Sequence, residues 1–200
     1  MQFPNAYSGV KDIYTAAILT LVGVGLGVIL LLATGLNLAA LIGILAIVVA
    51  LVMIVAFVSN IVGIVKASKD EAAFKNALYA LLAAIVISII GNFSKDAFLS
   101  GIFNVLSGIC SFLITYMICR GIVNLADELG DVAVSDAGEK VMKLEIIIWV
   151  VSIVVNLISA LLGANASVVS IILSLVSSIA SIVAYILYIG LLGKAKQMLA

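Results

Sequence analysis

The side chains that could do chemistry in the apolar parts of this chain are hydroxyls and amides set at three-and-four spacing. Gly101, Asn104, Gly108, Ser111, Thr115 and Cys119 form one such series. Ser152, Asn156, Ser159 and Gly163 form a second, and Ser167, Ser170, Ser174, Ser177, Ser178, Ser181, Tyr185 and Tyr188 a third. Residues three and four apart share a helix face, so each series is a polar stripe. The plain use of such stripes is helix packing, because small residues let backbones approach and hydroxyls or amides find partners away from lipid. The sharper use is an uncharged pocket that hydrogen-bonds a small molecule. Asn104, Ser111, Asn156, Ser170, Ser174, Ser178 and Ser181 are its candidate substrate-binding residues.

Other chemistry is absent from the sequence. There is no histidine, the usual general base and commonest transition-metal ligand. No nucleophile elbow, His-Glu-x-x-His pair or phosphate-binding glycine loop occurs. No catalytic residue, cofactor or metal is expected, and the chain reads as a non-enzyme. Gly23-Val-Gly-Leu-Gly27 lies in apolar sequence, where its four-residue spacing suits a close helix crossing. Cys110 and Cys119, nine apart on one helix and about half a turn out of phase, cannot pair with each other.

The elements that must position these residues follow from composition. Of 200 residues, 66% are hydrophobic and 10% charged, and mean hydropathy is +1.41. Soluble domains are roughly half apolar and about a quarter charged, so this is an integral membrane protein. Net charge is zero, which removes any electrostatic footprint for nucleic acid. A bilayer-crossing helix needs about 20 apolar residues. Six stretches qualify, at about 13–34, 38–65, 76–93, 98–119, 146–162 and 168–193. The expected fold is all-α, a single six-helix transmembrane domain over 1–200 with an amphipathic, acidic segment at 120–145.

Basic residues are retained on the cytoplasmic side. Lys11, Lys66, Lys69, Lys75, Arg120, Lys140, Lys143, Lys194 and Lys196 fall on one side of the six spans, and only Lys95 on the other. Both termini are therefore expected in the cytoplasm. Tyr7, Tyr14, Tyr79, Tyr116, Trp149, Tyr185 and Tyr188 map at or near the same ends, as interfacial aromatic residues do. No charged residue falls mid-span and the only proline is Pro4, which argues against ion-coupled pumps, voltage sensors and transporters with broken helices.

The chain divides into three hairpins with related exits: Gly63-Ile-Val-Lys-Ala67, Gly121-Ile-Val-Asn-Leu-Ala126 and Gly190-Leu-Leu-Gly-Lys-Ala195. Their spacing suggests internal triplication. Ser68-Lys-Asp-Glu71 has the form of a capping box, with Asp136-Ala-Gly-Glu139 a weaker one. Glu71 with Lys75, Asp136 with Lys140 and Glu139 with Lys143 have ion-pair spacing. Ile122, Leu125, Leu129 and Val132 share one face of a surface helix, opposite Asp127, Glu128 and Asp131.

The stretch Gly63-Ile-Val-Lys-Ala-Ser-Lys-Asp-Glu-Ala-Ala-Phe-Lys-Asn-Ala77, with Ile13-Tyr14-Thr15-Ala16, resembles small multi-pass membrane proteins of Gram-positive anaerobic bacteria. The resemblance implies a bacterial plasma membrane and supplies no functional residues. Two functions fit the sequence. One is contact with a membrane or cytoplasmic protein partner through Lys66 to Lys75 and Arg120 to Glu145. The other is binding or transport of a small solute by the serine and asparagine stripes. Reporter fusions at both termini should report the cytoplasmic side; an external signal from either overturns the topology.

Overall fold

An apolar run in lipid has one low-energy form, a helix whose backbone groups pair internally. The computed structural model describes residues 2–36, 38–93, 97–162 and 167–200, without the side chains of 39–40, 97–98, 100, 156–162, 167–174 and 177. Among them every regular element is a helix: α1 (Pro4–Gly35), α2 (Ala39–Ala67), α3 (Ala72–Phe93), α4 (Ala97–Leu129), α5 (Val132–Leu162) and α6 (Ser167–Met198). Five are long and apolar enough to cross a membrane. The remaining one, α5, carries Asp136, Glu139, Lys140, Lys143 and Glu145 in its first half.

The helices outrun the apolar spans. α1 begins at Pro4 rather than near Ile13, and α4 continues unbroken to Leu129. α5 begins at Val132 rather than Ile146. Polarity determines where the membrane ends, whereas capping and packing determine where a helix ends. At about 1.5 Å per residue, the 32 residues of α1 reach about 48 Å, well beyond a hydrocarbon core of about 30 Å. The excess lies at the charged end.

That end is closed by local polar chemistry, differently from the two expected capping boxes. Ser68 Oγ donates to the Val65 carbonyl at 2.9 Å and so finishes α2. Glu71 starts α3 alone, its Oε1 accepting from Ala73 N at 3.1 Å. The same oxygen accepts from Asn124 Nδ2 at 2.8 Å. Between α4 and α5, Gly130 at φ +72° permits the left-handed helix ending in which Asp131 N donates to Ala126 O at 2.8 Å. Asp131 Oδ1 then accepts from Val134 N at 3.1 Å and starts α5. Asp136 is interior to that helix, so no cap forms there. Of the three expected ion pairs, Lys143–Glu139 forms at 2.9 Å.

Each helix packs on its chain neighbour and α6 returns to α1, giving a closed ring in which the α1/α2 and α3/α4 contacts are the most extensive. The buried core lies at the charged end. Val10, Ile13, Ile64, Phe74, Ile118, Ile122, Leu125, Leu191 and Leu192 are the large side chains buried in it completely. The expected surface helix is thus the last turns of α4, with Ile122 and Leu125 fully buried. It stops at Leu129, and Val132, expected on the same face, instead opens α5 and is exposed. All three hairpin exits contribute alike: Ile64 and Ala67, Ile122 and Ala126, Leu191 and Ala195 are buried. Farther along, large side chains face outward on most sides, including Leu31, Ile44, Val86 and Val105.

Among the described glycines, the closest approach to another helix's backbone joins α1 to α2, at a place other than the expected crossing. A Cβ on Gly9 would stand 2.5 Å from Ala67 N and Gly63 O, and one on Gly63 would stand 2.7 Å from Gly9 O. Of the triplet at 23–27, only Gly23 is pressed, against Met53; Gly25 and Gly27 face open space. Substituting Gly63→Val should therefore cost about 1–3 kcal/mol or more by overpacking, while Gly25→Val should be nearly neutral. Unfolding of the detergent-solubilised protein by denaturant measures both.

Candidate functional site

Where the core ends, four helices leave a cleft of about 230 Å³. α1 contributes Ile13, Ala16, Ala17 and Thr20; α2 contributes Met53, Ala56, Phe57 and Asn60; α4 contributes Ile114, Thr115 and Ile118; α6 contributes Tyr185 and Tyr188. Its floor is sealed, because Ile13, Ile118 and Tyr188 are buried and join the core. Of its lining, Met53 and Phe57 are exposed, so the cleft is open at the surface of the bundle. The volume equals that of about seven or eight waters, below the range for drug-sized ligands.

The cleft's polar groups are neutral and mostly engaged as donors. Tyr185 Oη donates to the Ala17 carbonyl at 3.0 Å, which ties α6 to α1. Thr20 Oγ1 donates to Ala16 O at 2.9 Å and lies within hydrogen-bond reach of the Tyr185 phenol. Thr115 Oγ1 makes a long bond of 3.4 Å to Ser111 O. These oxygens keep lone pairs for accepting. Asn60 differs: among the described residues its carboxamide has no partner, leaving two donors and an acceptor at the wall. Aromatic faces complete the lining, with the Tyr185 and Tyr188 rings 6.1 Å apart. This arrangement suits a small uncharged molecule carrying donors and acceptors.

The seven residues expected from the sequence lie elsewhere or outside the description. Asn104 is exposed on α4 and lines two other clefts. One, of about 300 Å³ between α3 and α4, includes Ser88, Asn92 and Ser107. The other, of about 650 Å³ between α4 and α5, includes Gly108, Trp149 and Ser152 and is largely apolar; Trp149 stacks on Phe112 at 5.1 Å. Ser111 turns back on its own helix, donating to Ser107 O at 3.0 Å. Ser178 and Ser181 are exposed on α6 and each has a partner. The side chains of Asn156, Ser170 and Ser174 lie outside the described residues.

None of the four described candidates lines the central cleft. The stripes do reach it at their charged-end termini, through Thr115, Tyr185 and Tyr188. Tyr188 is thereby buried rather than an interfacial anchor. Thr20 and Asn60 were not singled out by the pattern. The available signal was Asn60 itself, since Ser59-Asn60 is the only polar step in the apolar run from Leu38 to Val65, and an amide in such a run needs a partner.

Scans of the chain against protein-family models, curated proteins and solved structures each return no match.

Below the floor, outside the apolar span of α5, Glu145 lies within electrostatic reach of Cys119 and Tyr188. Burial pushes its carboxyl above the ordinary carboxylate range. A raised value means that the folded state holds the proton more tightly than the unfolded one. Stability from this group is therefore full below the ordinary glutamate range and falls as pH rises through the raised value. Glu145→Gln should raise the thermal midpoint at neutral pH and lose that advantage in acid, as unfolding scans across pH would show.

Proposed function

We propose that this chain is a non-enzymatic, six-span membrane protein of the bacterial plasma membrane whose work is to bind a small uncharged polar molecule in the cleft between α1, α2, α4 and α6. Carriage of that molecule, or its presentation to another subunit, would follow from the same site. One observation carries the reading: the Asn60 carboxamide, without a partner among the described residues, stands in a four-helix cleft that the buried core closes on one side and that is open at the bundle surface. The neutral lining of Thr20, Asn60, Thr115 and Tyr185 supports an uncharged ligand. The one-sided distribution of Lys and Arg supports cytoplasmic termini. The shared burial pattern of the three hairpin exits supports an origin by repetition.

Docking of a protein partner at the charged end is the weaker reading. Much of the 66–75 segment is engaged within the chain: Lys66 Nζ lies 2.6 Å from Asp12 Oδ2. Asp70 accepts from Ala6 N at 2.7 Å and Asn5 Nδ2 at 2.8 Å. Asp127 and Glu128 at the end of α4 stay exposed and would form the rim of such a face.

The test is thermal stabilisation of the full-length protein in nanodiscs by a panel of short polyols and simple amides. At least one should stabilise it, and Asn60→Ala should weaken that ligand about fivefold or more, the worth of one hydrogen bond of about 1 kcal/mol. Ser111→Ala should leave it unchanged. No stabilisation across the panel, or an undiminished effect in Asn60→Ala, overturns the reading.

A further inference from the structure

A further concavity, of about 670 Å³, lies between α5 and α6 at the charged end, away from the central cleft. Its two walls differ in kind. α6 presents the exposed apolar side chains Ile186 and Leu187 with Gly190 between them and Lys194, whereas α5 presents Asp136 and Lys140. The helices are antiparallel here, and a Cβ on Gly138 of α5 would stand 3.7 Å from the Leu191 side chain of α6. The charged band of α5, from Asp136 to Glu145, therefore runs beside the last apolar turns of α6. About ten residues of overlap correspond to about 15 Å of helix. Only a region that is apolar and ionic at the same level accommodates both, and the headgroup layer of a bilayer is such a region.

The charges in the groove do not cancel. Lys140 and Lys194 have no ion-pair partner among the described residues, whereas nearby Lys143 is held by Glu139 at 2.9 Å and Lys196 lies over the Tyr14 ring at 5.0 Å. Against the two free ammonium groups stands the single carboxylate of Asp136. The groove thus offers net positive charge above an apolar wall, and its floor is open, since a Cβ on Gly190 would meet nothing within 4 Å.

We propose that this groove is a binding site for an anionic phospholipid, with the headgroup phosphate between Lys140 and Lys194 and an acyl chain along Ile186, Leu187 and the gap at Gly190. The occupant is a lipid of the surrounding leaflet rather than free phosphate, because the apolar wall continues from the ammonium groups toward the membrane. Asp136 opposes the headgroup and limits the affinity.

The test is lipid retention by the full-length protein, released from nanodiscs of phosphatidylcholine with phosphatidylglycerol and weighed by native mass spectrometry. The wild type should retain phosphatidylglycerol in preference to phosphatidylcholine. A lysine near an anionic surface is worth about 1 kcal/mol, so Lys140→Ala and Lys194→Ala should each lower the preference about fivefold, and the pair about 25-fold. Asp136→Asn should raise it. Gly190→Leu, whose Cβ meets no protein atom within 4 Å and whose side chain would occupy the groove, should expel both lipids. Equal retention of the two lipids by the wild type overturns the proposal, as does an undiminished preference in the double lysine variant. Displacement of the phosphatidylglycerol by inorganic phosphate alone would equally overturn the lipid assignment. Helicity and thermal midpoint, read on every variant, separate loss of the site from loss of the fold.

Discussion

The contact on which the rest of the bundle depends is the backbone-to-backbone meeting of α1 and α2 at Gly9 and Gly63. It sets a register that the neighbouring polar contacts obey. Asp12 and Lys66, each three residues beyond its glycine, form the ion pair. Ala6, three residues before Gly9, offers its free amide to Asp70, seven residues after Gly63. The first amides of a helix lack intrahelical acceptors, so Asp70 caps α1 from another element and fixes where that helix begins. The ion pair adds little, since partly exposed pairs are worth at most about 1 kcal/mol. Close packing holds the register, and the charges report it.

That contact lies at the charged end because association has different causes along the helix. Lipid tails are as apolar as leucine, so inside the bilayer helices gain little by burying apolar surface against each other. Beyond the hydrocarbon, the same burial removes surface from water and is strongly favourable. Helices α1, α4 and α6, of 32 and 33 residues, are longer than the hydrocarbon is thick. Their turns at the charged end carry Val10, Ile122, Leu125 and Leu199 into the core, where Val134 of α5 joins them. A collar driven by the hydrophobic effect thus gathers the helices at one end, while their other halves keep large side chains outward. The central cleft is the place where the collar stops.

The class of the fold was legible in the sequence, and so was the grouping of charges at one end, because both rest on composition over 20-residue stretches. Helix ends were less legible. Ser68 and Glu71 have the spacing of a capping box, yet each serves a different helix, since Ser68 finds the Val65 carbonyl first and Glu71 reaches both Ala73 and Asn124. Glycine spacing in 23–27 resembled a crossing, but a crossing needs a facing small residue. Gly9 has Gly63 opposite it, while Gly25 faces open space. Which face meets which helix is a property of the ring, and no local pattern encodes it.

The same distinction separates informative from uninformative polar residues in the spans. A serine or threonine in a helix can donate to the carbonyl four residues back, and Thr15, Thr20 and Ser111 do so at 3.0, 2.9 and 3.0 Å. Such a side chain enters lipid already satisfied and carries little information about what lies beside it. Stripes of hydroxyls therefore follow helix faces whether or not a pocket lies beside them. A carboxamide has two donors and an acceptor, more than one turn of its own helix can satisfy. Asn60 is consequently the polar group in α2 whose position asks for a partner across the bundle, and it stands where four helices leave room for one.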